Sequence, residues 1–178
     1  MKKYKTGLVL GRFQTFHNGH EYIINKALEI CDKVLVFIGS SDKFGTIENP
    51  FSYELRKKLI KKIYENEIVE NKLVISPLAD LGAGNVTKWG DYLFCEAEKI
   101  LGKVDCIVYG EESKCKSWFS EKIKKSVNFI VISRDDIKIN ASTLRNYMKE
   151  NDFERWRKFV NEKNWGEFEK MREILIKI

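Results

Sequence analysis

Short, nearly unbroken apolar runs alternate along this chain with longer stretches of helical periodicity, and that alternation limits the fold more than any other feature. Residues 6–10 (TGLVL), 34–38 (VLVFI), 72–76, 104–109 and 128–132 (NFIVI) read as strands. Between them, 21–31 carries Ile23, Ile24, Ala27, Leu28 and Cys31 at helical spacing, and 52–64 carries Leu55, Leu59, Ile60 and Ile63 on one face. Residues 89–101 and 116–125 follow the same period, and from Ser142 onward the chain reads as helical. Strands that are apolar at every position are covered on both faces. The expectation is an α/β, Rossmann-like doubly wound five-stranded parallel sheet with a helical C-terminal tail.

The 178 residues suit a single domain, 1–178, with its core at about 5–150 and the tail at 151–178. Hydrophobic residues make up 43% and charged residues 33%, which excludes a disordered tail or a coiled coil. No apolar run approaches the ~20 residues of a membrane span. Met1-Lys2-Lys3-Tyr4-Lys5 leads into a short apolar run without a small-residue cleavage site, so a cytoplasmic protein with no membrane association is expected. The four cysteines form no CxxC pair and are expected as reduced, buried thiols. The net charge of +6 suits an anionic ligand, and the basic residues are dispersed, so a nucleotide is expected rather than nucleic acid.

In a doubly wound sheet, ligands sit beyond the carboxyl ends of the strands. The loop leaving the first strand, Gly11-Arg12-Phe13-Gln14-Thr15-Phe16-His17-Asn18-Gly19-His20, holds the only two histidines of the chain. They fall at the start of the following helix, where free N–H groups and the helix dipole favour an anion. Gly19 lets a ligand approach the backbone closely, and Arg12 adds a charged donor. The residues alone admit three roles: a phosphate site, two metal ligands, or a structural pair. No third ligand is evident for a metal, and the loop is neither a Walker A sequence nor GxGxxG.

The stretch GRFQTFHNGH is similar to the first signature of the HxGH nucleotidyltransferase superfamily, and its fuller form most resembles the archaeal-type nicotinamide-mononucleotide (NMN) adenylyltransferases. Three other segments carry the resemblance. Ile38-Gly39-Ser40-Ser41 with Thr46-Ile47-Glu48-Asn49-Pro50-Phe51-Ser52 is similar to the GS…TxxNPF segment, with Arg56 matching an arginine in the next helix. Asp80, Asn85 and Trp89 fall where that family lines its nicotinamide pocket. Ile139-Asn140-Ala141-Ser142-Thr143-Leu144-Arg145 resembles the ISxTxxR signature at a helix start.

The resemblance implies AMP transfer from ATP to NMN, giving NAD and pyrophosphate, with His17, His20, Arg12 and Arg145 in catalysis. It implies ATP contacts from Gly11, Arg12, Phe13, His17, Gly19, His20, Gly110, Ser142, Thr143 and Arg145, and NMN contacts from Phe13, Ser40, Asn85 and Trp89. Ser142 and Thr143 are expected to cap their helix. A magnesium ion (Mg2+) held mainly by the ATP phosphates, with no protein metal site, and a homo-oligomer are also expected. Nicotinate mononucleotide, FMN, phosphopantetheine or a polyol phosphate with CTP stay open as acceptor chemistry, as does a non-catalytic nucleotide sensor. Glu111 and Glu112, after Gly110, are expected to face solvent or a metal-bound water.

Overall fold

The computed structural model describes residues 1–178 apart from 82–85, 111–114, 134–136 and 138, and at 86, 87 and 115 the backbone alone. The chain runs β1 (Tyr4–Gly11), α1 (Asn18–Ile30), β2 (Cys31–Ile38), α2 (Tyr53–Ile63), α3 (Glu65–Val69), β3 (Leu73–Pro77), α4 (Val86–Leu101) and β4 (Cys106–Gly110). A 3₁₀ turn, Cys115–Trp118, then precedes α5 (Glu121–Ser126) and β5 (Asn128–Ile132). The C-terminal part is α6 (Ala141–Lys149), α7 (Phe153–Arg157), a 3₁₀ segment (Glu162–Glu167) and α8 (Phe168–Leu175).

The five strands form one parallel sheet in the order β3-β2-β1-β4-β5. Strand order therefore reverses between β1 and β4. The loops leaving these two strands border the crevice where such sheets bind ligands. Side-chain alternation divides the interior between the two faces of the sheet. Val9, Val34, Val36 and Ile38 pack with α1, α2, α6 and the tail through Ile24, Leu59, Leu144 and Trp156. Leu8, Leu35 and Phe37 pack on the other face with Leu93, Phe94 and Ala97 of α4 and with Phe119 and Ile123.

The tail differs in detail from one continuous helix. Asn151 adopts φ 57° and ends α6, the left-handed position at which Asn is tolerated. The continuous helix expected at 116–125 is likewise two pieces, because Ser120 is extended and starts α5. α3 was not expected: five residues give too little periodicity to read. Of the cysteines, Cys31 and Cys106 are buried, with Sγ atoms 3.4 Å apart, whereas Cys95 is exposed, contrary to the buried state expected of it. Among the described residues, no helix is long and apolar enough to cross a membrane.

The tail is continuous with the core below α1 and α2. Trp156 is fully buried against Phe153 and Phe168. Asn164 donates to the Leu59 carbonyl at 3.1 Å, and Asn18 N–H donates to the Phe159 carbonyl at 2.8 Å. The Trp156 indole N–H makes no hydrogen bond among the described residues, so truncation there removes packing alone. Trp156→Ala should cost about 3–5 kcal/mol, read as a lower urea midpoint. A loss under 1 kcal/mol would show that the tail contributes little to the fold.

Candidate active site

His17 is the N-cap of α1: its extended backbone enters the helix, and its Nδ1 accepts from Gly19 N–H at 3.1 Å. With Nδ1 occupied as an acceptor, the neutral ring carries its proton on Nε2 and presents a donor there. His20 lies in the first turn, its ring stacked on His17 with centroids 3.7 Å apart. Phe13 meets His20 in a T-shaped contact at 4.9 Å, and Phe16 lies 5.7 Å away. Phe13 is buried with φ 52°, so it can offer a ligand its backbone but not its ring. Gly11 makes room for that ring: a Cβ at Gly11 would fall 2.7 Å from it.

Gln14, also buried, fixes the loop against the second segment. Its amide donates to the Phe51 carbonyl at 3.1 Å and accepts from Phe51 N–H at 2.9 Å. Arg56 ties the two loops more tightly. Its Nη1 donates to the Arg12 and Gly39 carbonyls at 2.8 Å each, its Nη2 to the Ser40 carbonyl at 3.0 Å, and its Nε to the Ser52 carbonyl at 3.2 Å. Sequence matching marks Arg56 without assigning it a task; the structure makes it the brace of both loops. Burial, and after it the neighbouring Arg12, pull its guanidinium down to about 10, still charged at neutral pH.

Arg145, from α6, reaches across to the same loop. It donates to the Gln14 carbonyl, and to the Ser142 hydroxyl at 3.1 Å. Burial lowers its pKa, and Arg12 adds to the effect. The helix cap corrects the expectation for this segment: Asn140 caps α6, accepting from Thr143 N–H at 2.9 Å and from the Thr143 hydroxyl at 3.2 Å. Ser142 instead accepts from Arg145. Ser and Thr are common caps, but Asn at the preceding extended position satisfies the same N–H groups.

Arg12 thus acts electrostatically on both Arg56 and Arg145. Mutual repulsion among cations favours an anionic ligand. Gly110 closes β4 on the opposite side of the crevice and is buried. Asn85, Glu111 and Glu112 lie outside the described residues.

A second feature adjoins this one. A cleft of about 280 Å³ is lined by Gly11, Arg12, Ser40, Asp80, Trp89 and Trp118, among others. Ser40, at φ 48°, is held there through its carbonyl by Arg56. Asp80 pairs with Lys43 at 2.9 Å. Burial works against its ionisation, but the bonds from Lys43 and Ser40, with Arg12 nearby, outweigh it and hold the carboxyl below its ordinary value. Trp89 and Trp118 meet edge to face, with centroids 5.3 Å apart and planes at 88°. Trp118 is a cleft residue that sequence reasoning missed, because its pattern reads as part of an ordinary amphipathic helix.

The cytidylyltransferase-like family model matches residues 8–165. The chain belongs to the cytidylyltransferase-like family. It is 31% identical over 121 residues to a nicotinamide-nucleotide adenylyltransferase of Thermoplasma acidophilum, covering 68% of this chain and 63% of that protein. A relative of the same name from Thermococcus sibiricus is 30% identical over 155 residues, covering 86% of this chain and 77% of its own length. For other curated relatives of this name the match spans only about half their length. Among solved structures, a bifunctional NMN adenylyltransferase/ADP ribose pyrophosphatase of Francisella tularensis, complexed with AMP and a manganese ion, superposes with TM-score 0.74. It is 26% identical, over 98% of this chain and 52% of that one.

Within this cytidylyltransferase-like fold, Arg56 should behave as a brace common to both loops. Arg56→Ala leaves the carbonyls of Arg12, Gly39 and Ser40 buried without their donor and should cost about 3–5 kcal/mol. Arg56→Lys should recover only part of this, because an ammonium cannot reach the same fork of acceptors. Chemical denaturation of the two variants measures this, and a near-neutral Arg56→Ala would refute it.

Proposed function

We propose that the protein transfers AMP from ATP to NMN, releasing pyrophosphate and forming NAD. The observation that carries this reading is the pair of stacked histidines at the α1 amino end, facing a loop braced by two arginines and carrying a third. An oxygen of the acceptor phosphate attacks the α-phosphorus of ATP, forming the new P–O bond. The bond from that phosphorus to the bridging oxygen breaks, and its electron pair leaves on pyrophosphate. The acceptor phosphate is already a nucleophile, so the protein needs no nucleophilic side chain.

Its task is to position two polyanions and to stabilise charge at the α-phosphate. His17 supplies its Nε2–H, His20 supplies its ring from one turn deeper, and the α1 dipole adds to both. Arg12 and Arg145 offset the triphosphate charge, while Ser142 and Thr143 line the approach from α6. Gly11, Phe13, Gly19 and Gly110 contribute backbone, with room for the nucleotide. Magnesium belongs to this reading as part of the substrate. Phosphate oxygens and water would be its main ligands. The whole acts as a nucleotide-handling protein with small-molecule partners.

The acceptor's ring belongs in the cleft beside Trp89, with Ser40 and Arg12 towards its ribose phosphate. A flat pyridinium on an indole gains both stacking and cation–π attraction. The ionised Asp80 favours a carboxamide, which can donate to it, over the carboxylate of nicotinate mononucleotide, which it repels.

Pyrophosphate release from MgATP, measured with NMN, nicotinate mononucleotide, FMN, phosphopantetheine and a polyol phosphate, tests the reading. NMN should be the best substrate. His20→Ala should lower kcat roughly 100-fold or more, the scale of a lost transition-state donor, with an unfolding midpoint moved far less than by Trp156→Ala. No release with any acceptor, or a fully active His20→Ala, would refute the proposal.

Trp89→Ala should weaken acceptor binding several-fold to about thirtyfold and leave the KM for ATP almost unchanged. Equal effects on both substrates, with a fall of many degrees in Tm, would make Trp89 a core residue instead.

A further inference from the structure

We propose that Cys31 and Cys106 are a disulfide-forming pair, a covalent staple that closes over β1 at Gly7 and ties β2 to β4. It is independent of the proposed function. Cys31 opens β2 and Cys106 opens β4, so the sulfurs sit at the amino ends of the strands, away from the crevice at the carboxyl ends.

The two cysteines are 75 positions apart in the chain. In the sheet, β1 lies between β2 and β4, so they also belong to strands that are not neighbours. Side chains on two such strands meet only where the strand between them leaves space. Gly7 leaves it. A Cβ there would fall 2.5 Å from Cys31 Sγ, 3.3 Å from Cys31 Cβ and 3.6 Å from Cys106 Sγ. The place of a side chain at position 7 is thus taken by the Cys31 sulfur, which reaches Cys106 Sγ at 3.4 Å. Both residues are fully buried. Bonded sulfurs lie about 2.05 Å apart, so the fold has already made most of the approach.

A link from 31 to 106 closes a long loop, and such links constrain the unfolded chain most. Whatever the link adds to the stability of the fold, the fold adds to the stability of the link. The oxidant is a small disulfide such as oxidised glutathione. A thiolate of the pair attacks one of its sulfurs, the glutathione S–S bond breaks, and one glutathione leaves as thiolate. The sulfur of the second cysteine then attacks the cysteine sulfur of this mixed disulfide. The Cys31–Cys106 bond forms and the second glutathione leaves. The two cysteines give up two electrons and two protons, and two glutathione thiols receive them. Because both sulfurs are closed to solvent, the exchange takes place as the chain folds or opens.

The full chain carrying Cys95→Ser and Cys115→Ser, refolded from urea in a glutathione redox buffer, tests this. Acid-quenched protein should include a species lighter by two hydrogens, whose tryptic map joins the peptides of Cys31 and Cys106. The same map on the wild-type chain gives this readout without the two substitutions. The equilibrium constant for the link, reached from reduced and from oxidised protein alike, should be at least roughly a hundredfold larger in native buffer than in concentrated urea. Oxidised protein should also unfold at a higher urea concentration than reduced protein. Gly7→Ala puts a methyl group where Cys31 Sγ lies and should shrink the native-to-urea ratio roughly tenfold or more. No linked species, or equal constants in buffer and in urea, overturns the proposal. A folded Gly7→Ala with an undiminished ratio overturns the role of Gly7. If that variant does not fold, the comparison of buffer with urea in its parent still decides the pair.

Discussion

A buried guanidinium sets the shape of this site. Arg56 loses its hydration on burial, a cost repaid by bonds to the carbonyls of Arg12, Gly39, Ser40 and Ser52. Those carbonyls belong to the loops after β1 and β2 and to the segment that starts α2. Two residues of these loops, Phe13 and Ser40, adopt the left-handed backbone region. Non-glycine residues occupy it at a cost of order 1–3 kcal/mol, so the surrounding bonds must hold them there. Arg56 and Gln14 supply those bonds, and both act from positions closed to solvent.

The rest of the histidine loop is arranged around that brace. Phe13, held in place, packs its ring over Gly11 and meets His20 at a steep angle; His20 stacks on His17, whose Nδ1 is committed to Gly19. Each ring thus fixes the next, from the end of β1 to the first turn of α1. The foundation extends into the C-terminal part of the chain. Phe159 takes the N–H of Asn18, while Asn161 donates to Glu21 in the same turn. The segment that resembles a mere appendage in sequence therefore anchors the helix that carries both histidines.

The second cleft is built differently. Its walls come from α4 and a 3₁₀ turn on the other face of the sheet, brought together at Gly90, where a Cβ would meet the Trp118 carbonyl oxygen at 1.9 Å, and by the bond from Ser120 N–H to Asp91. A charged, hydrogen-bonded loop thus adjoins a cleft that two indoles border. The two meet at Arg12 and Ser40, which border the cleft and belong to the braced loops. That adjacency suits the proposed transfer, which joins two phosphates while holding one flat ring apart from them.

Much of this was legible in the sequence, because much of it is local. The apolar runs fixed five parallel strands, and the position of the histidines at a helix start followed from a strand–loop–helix pattern within twenty residues or so. The signature near Arg145 was recognisable, although the residue that caps the helix is Asn140 and not its neighbours. What stayed hidden depends on contacts between distant segments. No pattern around Arg56 says that it will meet four carbonyls from three segments, and none around Trp118 says that it will stand at right angles to Trp89. The α3 turn, the break at Ser120 and the exposure of Cys95 escaped for a related reason: weak local propensities yield to packing. The sequence by itself determined the sheet, the histidine loop and the family. Only the tertiary structure decided which buried polar groups find partners and how closely two backbones approach, since both depend on the whole chain being folded.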